Sequence, residues 1–238
     1  MEYLASLEVV TGAFLRDLAV ADPLARCADV RWTTTELAAH LGGVHRWAAL
    51  NAREGKRHHR TNVPALEVTA VEWYGESRSI LLETLHELDP DAACYTLSKA
   101  DKSVRFWHRR QLFESLVHLW DLRSATDPAA PPPAEVTPDV HADGVSELFD
   151  VFLPRAGTLA PLGGIVRLEA TDTGHSWSFG NDWQRDAVID PAVPAARVRG
   201  QAGDLLLWVW NRASARRAVA VDGDQDLIAR FEKAHFRP

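Results

Sequence analysis

The feature that most constrains this chain is the stretch DPAAPPPAEVTPD at positions 127–139. Five of its residues are proline, which has no backbone donor and a fixed φ, so no helix or central strand can run through it. It reads as a stiff linker, and the 238 residues allow a core on either side of it. We place a first domain at 1–126 and a second at 140–238.

The two sides have different textures. Before the linker, apolar residues recur at helical spacing over 3–20, 33–53, 66–88 and 104–126. Four helices of similar length predict a four-helix bundle, with long connections near GKRHHRTNVP and DPDAACYTLSKADK. After the linker, a helix is expected at 139–153. The segment GIVRLEATDTGHSWSFG then alternates apolar and polar residues on both sides of a Thr-Gly turn, a hairpin signal. AARVRG predicts a further strand, DLLLWVW a buried helix, RRAVAVDGD a strand and turn, and DQDLIARFEKAHF a closing amphipathic helix. The predicted class is α+β and multidomain, a helical bundle followed by a smaller α+β domain.

Charge and cysteine usage narrow the functions. A formal net charge of −7, with no long basic block, argues against nucleic acid as a partner. The two cysteines, Cys27 and Cys94, lie far apart and outside any CxxC pattern, which fits a reducing, cytoplasmic setting. The first twenty residues carry Glu2, Glu8 and Asp17 and do not resemble a signal peptide. No apolar run is long enough to span a bilayer. Monomer and homodimer both remain compatible with the sequence.

The chemistry concentrates in two stretches. In WTTTELAAHLGGVHRW, Thr33 and Glu36 form an S/T-x-x-E capping box that starts a helix, and Trp32 is placed to pack on Leu37 as a hydrophobic staple. Leu37, His40, Val44 and Trp47 then share a face, so His40 lies in an apolar stripe next to two helix-weakening glycines, Gly42 and Gly43. In RRQLFESLVHLWDL, Glu114 and His118 are four apart and stack on one helical face, with Asp121 three further on. A carboxylate and an imidazole in that register can grip one metal ion. His40 from another helix would complete a His₂Glu set, the three-ligand pattern of catalytic zinc, and Asp121 would accept the far N–H of a ligand imidazole. Two plainer readings stand beside this one. Glu114 and His118 can be a simple hydrogen-bonded pair, and His40 a core histidine bonded to a backbone carbonyl.

WTTTELAAHLGGVHRWA and ESLVHLWDLRSAT resemble the two signature stretches of the mycothiol-dependent maleylpyruvate isomerase family, within the DinB-like metalloprotein superfamily. GQAGDLLLWVWNR resembles its sterol-carrier-protein-like C-terminal domain, so the resemblance covers most of the chain. It implies His40, Glu114 and His118 as metal ligands, zinc as the usual metal, and mycothiol as the thiol cosubstrate. It also implies an assisting arginine, matched best by Arg212, which would hold a carboxylate or oxyanion. As a helix-end arginine Arg212 can equally bond the last carbonyls. Asn211 stands where the family usually has glycine, but asparagine also tolerates the left-handed cap.

The resemblance implies a thiolate acting on a small electrophile, with or without a carboxylate. Addition to a conjugated acid would give cis–trans isomerisation, and displacement of a leaving group would give S-transfer, the broader of the two. The alternative from another class is a non-catalytic metal-binding or regulatory DinB-like protein. Gly43 and Trp47 are candidates for the substrate or thiol pocket. Trp107 and Trp120 are either pocket wall or core. His45, five residues from His40, is expected on the rim, and the basic run REGKRHHR at a solvated surface that can attract an anion.

Overall fold

The computed structural model describes residues 2–60, 67–185, 194–234 and 236. The chain divides into two compact units, 1–136 and 137–238.

In the first unit four helices form the bundle: α1 (Tyr3–Leu18), α2 (Thr34–Glu54), α3 (Ala70–Glu87) and α4 (Arg105–Ser124). Helix α2 packs most extensively on α3, and α1 on α4. The capping box that opens α2 is present in both directions, with Thr33 Oγ1 accepting from Glu36 N and Glu36 Oε2 accepting from Thr33 N. Helix α3 starts with the same device, Thr69 with Glu72, four residues after the position where periodicity alone starts it. Residue 66, where that pattern begins, lies outside the described residues.

One of the two glycines of α2 has a structural cause. A Cβ on Gly42 would overlap the Trp73 indole nitrogen and lie 3.0 Å from Ser77 Oγ, so Gly42 lets α3 approach α2. The space it leaves is filled by the third helix.

Most of the proline-rich stretch is tied to the first unit. Trp120 Nε1 donates to Ala130 O at 2.8 Å, and Arg123 forms an ion pair with Glu135 at 2.5 Å. Trp107 is likewise core, fully buried with Nε1 donating to Tyr95 O.

The second unit begins with α5 (Pro138–Val151). Its sheet has the order β2-β1-β3-β4. Strands β1 (Val166–Ala170) and β2 (Ser176–Phe179) form the expected antiparallel hairpin, turned at Gly174 with φ 75°. Strand β3 (Ala196–Gly200) lies parallel to β1, and β4 (Ala220–Gly223) antiparallel to β3. Helices α6 (Ala202–Val209) and α7 (Gln225–Lys233) both touch β1 and β3. The core holds an aromatic cluster in which Phe231 meets Phe149, Phe179, Trp183 and Trp208. Two arginines expected to open the last strand, Arg216 and Arg217, fall instead in or at the end of a short 3₁₀ turn.

Candidate metal centre

Helix α2 supplies His40, and α4 supplies Glu114 and His118. One donor atom from each of the three lies within 4.8 Å of the others. Glu114 Oε1 is the hub, 3.7 Å from His40 Nε2 and 3.5 Å from His118 Nε2. Ligands about 2 Å from a tetrahedral zinc stand about 3.3 Å apart, so only small shifts separate these atoms from a coordination set.

The atoms turned away from the hub are engaged. His118 Nδ1 lies 2.8 Å from Asp121 Oδ2, and Asp121 is fully buried. A carboxylate there fixes the proton on Nδ1 and leaves Nε2 as the donor atom. Glu114 Oε2 accepts from Arg110 Nη2 at 2.5 Å, and Arg110 is buried. Arg110, Glu114, His118 and Asp121 thus follow one another at four, four and three residues along one face of α4.

Trp32 roofs the cluster. Its ring centroid is 4.3 Å from that of His40 and 5.9 Å from that of His118. The loop that carries it is pinned by Cys27 N to Trp32 O and Thr34 N to Ala25 O, each at 3.0 Å. Ala28 N, donating to Ser124 Oγ, ties the same loop to the end of α4. The expected staple residue is therefore also an aromatic cover over two imidazoles.

Charge is distributed unevenly. Burial pushes the Glu114 carboxyl up, but Arg110 and the neighbouring His118 and His40 imidazoles outweigh it and hold the group well below the usual carboxylate range. Burial likewise lowers His118, yet Asp121 and Glu114 overcome it, so its pKa lies above that of an ordinary imidazole. His40 is lowered, mainly by burial, with the nearby Glu114 carboxylate opposing.

The other predicted site residues are placed as follows. Gly43 is half-buried on α2, one turn beyond His40. Trp47, half-buried two turns along, packs edge-on against Trp107 at 5.2 Å and donates from Nε1 to His58 O. Arg212 belongs to the second unit, where it is 8% exposed and donates from Nη1 to Trp210 O at 2.7 Å. Asn211 before it adopts φ 63°, the left-handed cap that glycine would otherwise provide. His45 is a correction: it is fully buried, with Nε2 3.1 Å from Ser115 Oγ.

Two residues of the site were missed in the sequence. Arg110 repeats the i, i+4 spacing one turn earlier and was legible on that ground. The roofing position of Trp32 depends on a loop fold that no local pattern announces.

The model of the mycothiol maleylpyruvate isomerase N-terminal domain matches residues 4–123, and that of the MDMPI C-terminal domain matches 139–230. The chain belongs to the mycothiol maleylpyruvate isomerase family. Two crystal structures of the mycothiol-dependent maleylpyruvate isomerase have the same fold. A histidine-to-alanine mutant of that enzyme aligns with TM-score 0.62, and a second crystal structure of it aligns with TM-score 0.59. Each is 13% identical to this chain, covering 93% of it and 92% of the other. Among curated proteins no sequence match is found. Among the described residues, no helix of this family member is long and apolar enough to cross a membrane.

Proposed function

We propose that this protein is a metal-dependent, mycothiol-dependent isomerase of a small electrophilic substrate that carries a carboxylate. The observation that carries the reading is the convergence of His40 Nε2, Glu114 Oε1 and His118 Nε2, in a chain of this family, with Asp121 and Arg110 engaging the atoms that face away. Two imidazole nitrogens and one carboxylate oxygen suit a borderline-soft divalent cation such as zinc. A cation held by these three residues would leave a position open and would acidify a thiol offered to it.

The chain's own residues prepare that chemistry. Asp121 holds the His118 ring in one tautomer and orientation, so Nε2 points at the hub. Arg110 fixes the Glu114 carboxylate from behind and keeps it ionised. Trp32 covers the open faces of His40 and His118 and excludes water from that side. Arg212 enters this reading through the family resemblance, as the residue that would hold a carboxylate or oxyanion. Isomerisation is preferred to S-transfer because the N-terminal domain model and both structural neighbours bear the isomerase name. The reading places the protein in the cytoplasm, where a low-molecular-weight thiol stays reduced.

Elemental analysis of protein purified without chelator is expected to find about one zinc or similar ion per chain, the content of a three-ligand catalytic site. His118→Ala is expected to abolish both the metal and mycothiol-dependent isomerisation of maleylpyruvate, with the helical circular dichroism retained. Chelator-insensitive isomerisation by a metal-free protein would overturn the metal dependence. Thiol conjugates as the sole products would make the enzyme an S-transferase.

A further inference from the structure

Helix α2 ends at Gly55, whose φ of 66° is left-handed and reverses the chain. Beyond Gly55 the backbone runs back along α2. His58 N donates to Asn51 Oδ1 at 2.9 Å, and His58 O accepts from Trp47 Nε1 at 2.8 Å. Asn51 Nδ2 donates to Trp47 O at 2.6 Å, so the two anchors hold each other. The direction is from Asn51 toward Trp47, and His40 lies about 10 Å further along the same helix. Two extended residues beyond His58 cover about 7 Å, and an arginine side chain reaches a similar distance. An extended run would therefore let the Arg60 guanidinium reach the rim of the metal centre, and its charge is among the influences that lower His40. Gly43 and Trp47 lie on the span of α2 between the two.

Arg60, like Arg57 on the same loop, differs from the ion-paired arginines of the bundle helices. Arg46, Arg53, Arg105, Arg110 and Arg123, all on the helices, each carry a carboxylate partner. Arg60 is exposed and has no hydrogen bond or ion pair among the described residues. In a chain with more acids than bases, an arginine without a partner beside a cation site has its two-pronged donor edge open to an anion.

We propose that Arg60 is a specificity residue that grips a carboxylate of the electrophile while the electrophile's reactive end is held at the metal centre. This rests on the isomerase reading for the identity of the ligand, but the anion site itself can be tested apart from turnover.

The test is calorimetric titration of the zinc-loaded protein with maleate, in wild type, Arg60→Gln, Arg60→Lys and Arg57→Gln. Arg60→Gln is expected to weaken maleate binding about tenfold or more, the loss of one bidentate charge-assisted contact. Arg60→Lys should recover part of that loss, because it keeps the charge without the fork. Arg57→Gln, on the same loop, should stay within about twofold, as expected for a remote surface charge. Equal affinity in wild type and Arg60→Gln overturns the proposal, as does an equal loss in Arg57→Gln or a wild type that binds no maleate. Arg60-dependent maleate binding in a protein without isomerase activity would leave this site standing and overturn the reaction. Isomerisation of maleylpyruvate with kcat/KM unchanged in Arg60→Gln would do the reverse.

Discussion

Helices α2 and α4 bring together two histidine-centred clusters in adjacent positions, and the two obey opposite rules. In one, His40 and His118 meet Glu114, with Asp121 and Arg110 behind them. In the other, His45 meets Ser115, the very next residue of α4, and its Nδ1 has no hydrogen-bond partner among the described residues. Burial disfavours the charged imidazole in both, and it prevails at His45 and at the half-buried His40 but not at His118. In the second, burial outweighs the opposing charge of Glu114, and the His45 pKa falls to about 3. In the first, carboxylates outweigh burial and raise His118. A buried imidazole next to ionised carboxylates is held ready to exchange a proton for a cation, whereas one next to a hydroxyl stays a neutral spacer.

The comparison breaks most severely if the charges are not interdependent. Glu114→Gln removes one charge and leaves Arg110 buried without it. Stranding one partner of a buried pair costs about 3–5 kcal/mol, so the metal-free variant should lose that much in urea denaturation. Adding Arg110→Met should restore most of the loss, because an apolar residue of similar length needs no counter-charge. A single variant within 1 kcal/mol of wild type would show that Arg110 reaches water, and that the centre is not the closed ionic cluster described here.

Much of the bundle was legible because its signals are local. Thr33 with Glu36 fixes where α2 begins, and four- and three-residue spacings put Glu114, His118 and Asp121 on one face whatever else surrounds them. What stayed hidden depends on neighbours distant in sequence. His45 lies about 140° round the helix from His40, which suggests a rim until α3 and α4 both cover α2 and make that side interior as well. Gly42 was legible as a helix-weakening residue beside His40, but the Trp73 of α3 that occupies the space it leaves was not. In the second unit each strand was visible as a pattern. The parallel pairing of β1 with β3 was not, since alternation says which face is buried but never which strand is adjacent.

A finer test addresses the proton that His118 holds. Its folded pKa lies above the ordinary value, so in metal-free protein His118 adds stability that is full below about pH 6.5 and lost as pH rises through the folded pKa. A cation must displace that proton, and metal affinity should fall with acidity about tenfold per pH unit below the folded pKa. Asp121→Asn removes the larger of the two hydrogen bonds that raise the pKa. It should weaken zinc binding at neutral pH by about 10–100-fold through loss of ring orientation, while moving the onset of acid loss to lower pH. Competition with a chromophoric chelator across pH 5–8 measures both. A weakened affinity with an unmoved onset would assign the proton to another group.

The smallest effect separates the neutral histidine from the charged one. With its folded pKa near 3, His45 cannot take up a proton that it would bind in the unfolded chain below about pH 6.5. Its contribution to stability is therefore present above that pH and declines as pH falls toward 3, the reverse of His118. One unit below the unfolded value the loss is about 1.5 kcal/mol. His45→Gln keeps a polar group beside Ser115 and does not titrate. Comparing urea denaturation of the two metal-free proteins at pH 7.5 and 5.5 cancels the His118 contribution, which both share. The variant should lose about 1.5 kcal/mol less than wild type over that interval, whatever its stability at the higher pH. Parallel losses would mean that His45 is protonated in the folded state. The contrast between the two clusters would then reduce to a difference in depth.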